Sequence, residues 1–126
     1  MTDSRPHLEP GPDHPITVEP YEGRVTVRAG SAIVARTTRA LELREADYPP
    51  VLYVPVDDVD GDLLRAGDQH TYCPYKGEAS YYDLVVDGDA GLEGAVWHYP
   101  EPYPAVAAIR GHVAFYADRV AVTAEP

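Results

Sequence analysis

The chain is 126 residues long, which suits one domain of common size and leaves no room for a second. Its 21 acidic and 10 basic residues give a net charge of −11, which repels phosphate backbones and anionic lipid surfaces, so neither nucleic acid nor a membrane is an expected partner. A single cysteine excludes an internal disulfide, and with no signal-peptide pattern or long apolar run it predicts a cytoplasmic protein.

The sequence changes character near residue 16. Residues 1–15 contain four prolines and few apolar side chains, a composition that predicts a flexible arm rather than a packed element. The remainder, residues 16–126, is expected to form a single β-rich domain. Within it, Ile16–Glu19 and Arg24–Arg28 alternate apolar and polar residues on either side of Tyr21–Gly23, which predicts two strands joined in a hairpin.

Short strands separated by turn residues continue along the chain. The further predicted strands are Ala32–Ala35, Thr38–Arg44, Val51–Val54, Thr71–Tyr72, Ser80–Val86, Ala95–His98, His112–Tyr116 and Val120–Thr123. Helical turns are predicted after Asp58, over Val59–Leu64, and over Pro104–Ile109, where proline takes the first position. These short strands, the regular turns and the 13 prolines predict a mainly β fold, a compact single-domain antiparallel β-sandwich or barrel with one or two short helical turns.

Residues 70–82, HTYCPYKGEASYY, combine the only cysteine with a lysine, a glutamate and four tyrosines. Cys73, Lys76 and Glu78 are the candidate catalytic residues. A nearby cation stabilises a thiolate, so Lys76 across the turn would favour a nucleophilic Cys73, and Lys76 itself suits an anion anchor, a base or a Schiff base. The alternatives are an inert buried thiol, a solvated lysine, and a structural salt bridge from Glu78 to Lys76 or Arg110.

Aromatic residues concentrate in this segment and in a second one around Trp97. Such rings form walls that are apolar in the middle and polar at their tips, as in small-molecule pockets, although they also build ordinary cores. His98 adds an imidazole that titrates near neutral pH, either as an acid or base or as a hydrogen-bonded structural group. The candidate ligand-binding residues are Tyr53, Tyr72, Tyr82, Trp97, His98 and Tyr99.

No metal and no cofactor is expected from the sequence. His70, Cys73, His98 and His112 are the potential metal ligands, but no pair of them has the spacing of a C-x-x-C or H-E-x-x-H motif. The acidic run at residues 57–62 lacks the downstream glutamate of a calcium loop, so it is interpreted as a solvated turn.

The motifs described above resemble the domain of unknown function 427 family, which also bears a nucleotidyltransferase-type label. The resemblance rests on Tyr53–Pro55 followed by Asp58 and Leu64, and on Thr71–Tyr82, Ala95–Pro102 and Ile109–Tyr116. It runs from about Pro15 to Val122, and its most specific element is the Cys-Pro-Tyr-Lys-Gly run at 73–77. It implies a small β-rich domain of the β-tent type, in which two sheets lean together over a pocket. The label implies paired carboxylates that bind magnesium, whereas the adjacent Asp57 and Asp58 would point in opposite directions on an extended segment.

Two functional hypotheses follow from these residues. The first is an enzyme acting on a small organic substrate, with Lys76 as anion anchor or base and Cys73 or Glu78 as its reactive partner. The second is a non-catalytic module that holds a small ligand or a peptide segment against the same aromatic wall. A third alternative assigns the aromatic clusters to the core and leaves function to surface contacts. Exposed β edges can pair, so a homodimer is also an expected assembly.

Overall fold

A computed structural model describes residues 5–86 and 92–126 of the chain. Within these ranges the chain forms ten strands, and the short helical segments are of the 3₁₀ type. The strands are β1 (Ile16–Pro20), β2 (Arg24–Ala29), β3 (Ala32–Thr37), β4 (Leu41–Glu45), β5 (Val51–Pro55), β6 (Leu64–Cys73), β7 (Gly77–Leu84), β8 (Val96–His98), β9 (His112–Phe115) and β10 (Ala121–Glu125). The 3₁₀ segments are Val56–Asp58, Gly61–Leu63 and Pro104–Ile109. None of the described helical segments has the length and hydropathy that a membrane span requires.

The strands form two antiparallel sheets. The larger sheet has seven strands in the order β1-β4-β5-β9-β8-β7-β6, and the smaller has three in the order β10-β2-β3. This arrangement confirms the predicted mainly β, antiparallel fold with short helical turns. Of the two predicted architectures it excludes the barrel, because neither sheet closes on itself among the described strands.

The predicted hairpin between the first two strands is wrong. β1 pairs with β4, whereas β2 pairs with β3 and β10, so the chain crosses from the larger sheet to the smaller one between Pro20 and Arg24. Gly23 makes this crossing with a φ of +149°, and a Cβ at this position would lie only 2.2 Å from the Glu125 carbonyl oxygen. The alternating pattern identified both strands correctly, but alternation reports which face of a strand is buried and not which strand lies beside it.

Both faces of the larger sheet are covered. One face packs against the smaller sheet in a core that includes Val25, Val27 and Val34 from the smaller sheet and Val54, Val96 and Val113 from the larger. The opposite face carries a second core in which Tyr53 packs with Leu43, Tyr81 and Ile109. Because side chains alternate along a strand, Val54 enters the first core and Tyr53 the second. A strand covered on both faces explains why residues 51–54 are an almost continuous apolar run.

The seam between β5 and β9 in the larger sheet has a short ladder of two residue pairs. Pairing across this seam covers only Val54 with Val113 and Pro55 with His112. The next residues along the two strands, Val51–Tyr53 and Ala114–Phe115, have no partner across the seam in this ladder. The cavities described below lie where this pairing stops.

Candidate functional site

Lys76 is held by the turn that joins β6 to β7. Its backbone nitrogen donates to the Cys73 carbonyl at 3.2 Å, and its carbonyl accepts from the Tyr103 nitrogen at 3.0 Å. Gly77, with a φ of +111°, takes a conformation that residues with a side chain rarely adopt. These constraints direct the lysine side chain into the protein, and only 9% of the residue is exposed. Burial of a lysine is uncommon unless its ammonium group is paired.

The partner of Lys76 is a carboxylate at the end of β4. The Lys76 Nζ donates to the Glu45 Oε1, and the second carboxylate oxygen lies 2.7 Å from the His14 Nε2. Burial alone would raise the pKa of Glu45, but hydrogen bonds from Lys76 and His14 and the charge of Lys76 lower it below its ordinary value. We call these three residues the Lys76–Glu45–His14 network.

His14 reaches this network from the segment that precedes β1. A turn with backbone hydrogen bonds between Gly11 and His14 positions the imidazole, which stacks on Tyr75 with ring centroids 4.0 Å apart. The same segment contacts the β6–β7 turn again where the Leu8 nitrogen donates to the Pro74 carbonyl at 2.9 Å. The segment before β1 therefore covers one side of the network.

Aromatic residues surround the other sides of the network. The centroid of the Tyr99 ring lies 6.0 Å from the Lys76 Nζ. The Trp97 Nε1 donates to the Tyr53 hydroxyl at 3.2 Å, and the Trp97 ring packs on Tyr116 with centroids 4.5 Å apart. Burial raises the pKa values of the Tyr53 and Tyr99 phenols, so both are neutral at physiological pH. Burial first, and a hydrogen bond with Tyr81 second, raises the pKa of Tyr116 to about 12.

Two adjoining cavities open beside these residues. The smaller, of about 220 Å³, is lined by Lys76 and Glu45 together with the aromatic residues around them. The larger, of about 670 Å³, extends toward the smaller sheet and is lined mainly by apolar side chains. The residues that line both cavities are Glu45, Tyr48, Pro49, Val51, Trp97 and Tyr116. We refer to the two cavities together as the cleft; it has a polar end at the ion pair and an apolar body.

The structure brings together four of the residues singled out from the sequence. Lys76, Tyr53, Trp97 and Tyr99 all line the smaller cavity. Cys73 is partly buried and packs against the second core. The ammonium group of Lys76 bonds to Glu45, so the pair formed in this structure is lysine with carboxylate rather than lysine with thiol.

The other candidates lie outside the cleft. Glu78 is on the exposed side of β7, where it pairs with Arg5 at 3.0 Å rather than with Lys76 or Arg110. The Tyr72 hydroxyl donates to the Pro6 carbonyl at 2.6 Å and bonds to the Tyr103 hydroxyl.

Tyr82 and His98 form a separate aromatic pair. Their rings stack with centroids 4.7 Å apart, and Tyr82 packs against the first core. Burial lowers the pKa of His98, which favours its neutral form. In the described ranges 5–86 and 92–126, no three His, Cys, Asp or Glu side chains lie close enough together to form a metal site.

Sequence reasoning missed Glu45 and His14. Glu45 was detectable in principle, because the alternation of β4 places it on the same face as Leu41 and Leu43, which pack in the second core. A carboxylate on a core-facing position requires a partner. Nothing in the sequence indicated His14, which lies in a proline-rich segment and reaches Glu45 only through the tertiary fold.

The lowered pKa of Glu45 predicts a specific loss of stability in acid. Below the ordinary value of 4.5, the unfolded chain binds a proton at this carboxyl before the folded protein does, so the contribution of Glu45 falls as the pH falls. Between about pH 5 and about pH 3, we expect the free energy of unfolding to fall less steeply in Glu45→Gln than in the wild type. Urea titrations across this range measure both slopes, and equal slopes would contradict the prediction.

The comparison with known proteins identifies a family without an assigned activity. No curated protein matches the chain significantly. The family model NTP_transf_9, described as a domain of unknown function (DUF427), matches residues 17–126. This match includes Glu45, Lys76 and the aromatic lining of the cleft, whereas His14 precedes it. The chain therefore belongs to the domain of unknown function 427 family.

Proposed function

We propose that the protein binds a small organic molecule with an apolar body and one uncharged polar end in the cleft. The observation that supports this most directly is that an apolar cavity adjoins a second cavity lined by a buried, hydrogen-bonded ion pair. Ligand sites commonly have this composition, with a predominantly apolar lining and a few polar groups that fix orientation.

The size of the cleft argues against an ordinary core. Well-packed interiors contain few voids larger than a water molecule, whereas ligand cavities typically measure about 300–1,000 Å³. The larger cavity, at about 670 Å³, lies within that range. Two aromatic side chains among its lining residues are also exposed to solvent, with 66% of Tyr48 and 37% of Tyr116 accessible. Exposed aromatic surface beside a cavity is a common feature of binding sites.

The charges at the polar end define the ligand group that it accepts. Glu45 neutralises Lys76, so the pair offers both a hydrogen-bond donor and an acceptor without a large local charge. An anionic group would gain little from a lysine already paired and would be repelled by Glu45 and by the net charge of −11. A hydroxyl or carbonyl group fits this end better than a carboxylate or phosphate.

The binding proposal is tested with octanol and octanoate, which share an alkyl chain and differ in the charge of the polar end. Trp97 is the only tryptophan and lines both cavities, so its fluorescence reports on the cleft. We expect octanol to change the emission saturably and octanoate to bind at least about tenfold more weakly, a difference of about 1.4 kcal/mol. No saturable change with octanol would overturn the proposal.

A matched pair of variants locates the binding. Ala117 lines the larger cavity and Ala108 lies outside it, and both are exposed. Ala117→Phe is expected to weaken octanol binding at least about tenfold by filling the cavity, while Ala108→Phe leaves it unchanged. Equal affinities for the two variants would place the octanol site elsewhere on the protein and contradict the proposal.

A further inference from the structure

Lys76 is the only lysine in the sequence. The other nine basic residues of this chain are all arginines. The single ε-amine is thus found at a buried position, beside a carboxylate and against an aromatic wall, rather than on the surface where lysines usually lie. Chance placement of one lysine would favour an exposed site.

An ion pair alone does not explain the choice of an amine. Arginine forms buried pairs with carboxylates at least as well as lysine, since its planar guanidinium can bond to both oxygens. What arginine cannot do in a protein is lose its proton and act as a nucleophile, whereas a lysine amine can do both. Lys76 is therefore the one side chain of the sequence that offers a primary amine as a nucleophile.

We propose that Lys76 forms an imine with an aldehyde or ketone that binds in the cleft. This inference rests on the proposed function and names the class of ligand that the site takes. A carbonyl compound with an apolar body has the neutral polar end that the Lys76–Glu45 pair accommodates. Keto acids fit less well, because their carboxylate would lie near Glu45.

The network supplies the proton transfers that imine formation requires. Glu45 accepts a proton from the Lys76 ammonium group, which frees the nitrogen lone pair to attack the carbonyl carbon. The C–N bond forms as the carbonyl π bond breaks, and one N–H proton passes from the nitrogen to the oxygen, giving a neutral carbinolamine. Glu45 then returns its proton to the hydroxyl group. The C–O bond breaks as the nitrogen lone pair forms the C=N bond, and one water molecule leaves.

The product keeps the charge balance of the site. An ammonium group and a carbonyl compound give an iminium ion and water, so one positive charge remains on the nitrogen, opposite the Glu45 carboxylate. The ion pair that stabilises the free protein therefore also stabilises the adduct. Of the two Glu45 oxygens, His14 bonds to the one that does not accept from Lys76, which makes it a positioning residue for the carboxylate.

Reductive trapping tests this chemistry in the full chain. Octanal and sodium cyanoborohydride are added, and peptide mass spectrometry measures alkylation at Lys76 and at the α-amino group. The matched control is the double variant Lys76→Arg/Arg36→Lys, which retains the charge and moves the only lysine to an exposed strand position. We expect Lys76 to be alkylated at least about tenfold faster than the relocated lysine because the cleft holds the aldehyde beside it.

Two further measurements separate a specific reaction from general amine reactivity. Octanol is expected to slow alkylation of Lys76 in the wild type without slowing alkylation of the α-amino group, since it occupies the same cleft. Glu45→Gln, if folded, is expected to slow alkylation of Lys76 at least about tenfold because the proton acceptor is removed.

The outcomes distinguish the two proposals. If octanol binds in the cleft but Lys76 reacts no faster than the relocated lysine, the imine inference is wrong and the binding proposal stands. If octanol does not bind and octanal does not label Lys76 selectively, both are wrong. Selective labelling that octanol suppresses supports both.

Discussion

Lys76→Met is expected to lower the free energy of unfolding by about 3 kcal/mol, because it leaves the Glu45 carboxylate without its cation in a largely buried position. Methionine has a similar length and can fill the space of the lysine side chain. The decrease in the free energy of unfolding therefore measures the effect of the missing charge rather than of a cavity. The hydrogen bond between His14 and Glu45 remains in this variant and offsets part of the lost stability. Urea unfolding at neutral pH measures the loss.

A double variant distinguishes an uncompensated charge from lost packing. In Lys76→Met/Glu45→Leu neither charge is present, and apolar replacements of buried ion pairs are often neutral or stabilising. We therefore expect the double variant to recover most of the stability that Lys76→Met loses. The single variant Glu45→Leu completes the comparison. If the decrease in the free energy of unfolding of the double variant equals the sum of the decreases in Lys76→Met and Glu45→Leu, the two residues are not energetically coupled and the network has no structural role.

Tyr53→Ala is expected to lower the free energy of unfolding by about 3–4 kcal/mol, which is as much as Lys76→Met or more. Tyr53 is 1% exposed and packs in the second core, so removal of its ring leaves a cavity that β5, paired on both sides within the sheet, cannot readily close. It also removes the hydroxyl acceptor of the Trp97 indole. Tyr53→Phe removes only that hydrogen bond and is expected to cost about 1 kcal/mol.

Tyr48 provides the matched control for Tyr53. Both tyrosines line the smaller cavity, but Tyr48 is 66% exposed. Tyr48→Ala should therefore change the free energy of unfolding by no more than about 0.5 kcal/mol, and it should weaken octanol binding. Thermal or urea unfolding of the three variants, with octanol titrations of Tyr48→Ala, tests both statements. Equal destabilisation by Tyr53→Ala and Tyr48→Ala would contradict the burial argument.

The enzyme and binding-module hypotheses share the cleft and differ in what Lys76 does. A binding module needs only the cavity and the hydrogen bonds at its polar end. An enzyme needs in addition a group that changes its protonation or bonding during the reaction, and Lys76 beside Glu45 is the pair in the cleft that offers this. Octanol binding and octanal trapping measure these two properties separately.

The local elements followed from the sequence because short-range chemistry determines them. Alternation identified β1 and β2, and Pro104 at the first helical position marked the segment that became a 3₁₀ helix. Of β6 (Leu64–Cys73), only Thr71–Tyr72 was predicted as strand. The strands predicted at Thr71–Tyr72 and Ser80–Val86 require a turn between them, and the structure has it between β6 and β7, where Gly77 has a positive φ. Each of these assignments depends on residues within a few positions of one another, so no knowledge of the fold was needed.

The assembly of the site required the tertiary structure. The sequence indicated Lys76 and part of the aromatic wall as functional candidates, but it favoured Cys73 and Glu78 as the partners of the lysine because they are close in the chain. In the fold, the strand alternation turns Glu78 outward, and the pairing of β4 with β5 carries Glu45 to the lysine instead. His14 joins from a segment with no recognisable pattern.

The class of fold, the family motif and the presence of one lysine among aromatic residues can all be read from the amino-acid sequence. The neighbours of each strand, the cleft beside the seam between β5 and β9, and the burial of Lys76 against Glu45 are visible only in the folded protein. Periodicity and turn chemistry act over a few residues, whereas a buried charge is paired by whichever side chain the packed sheets bring within hydrogen-bond distance.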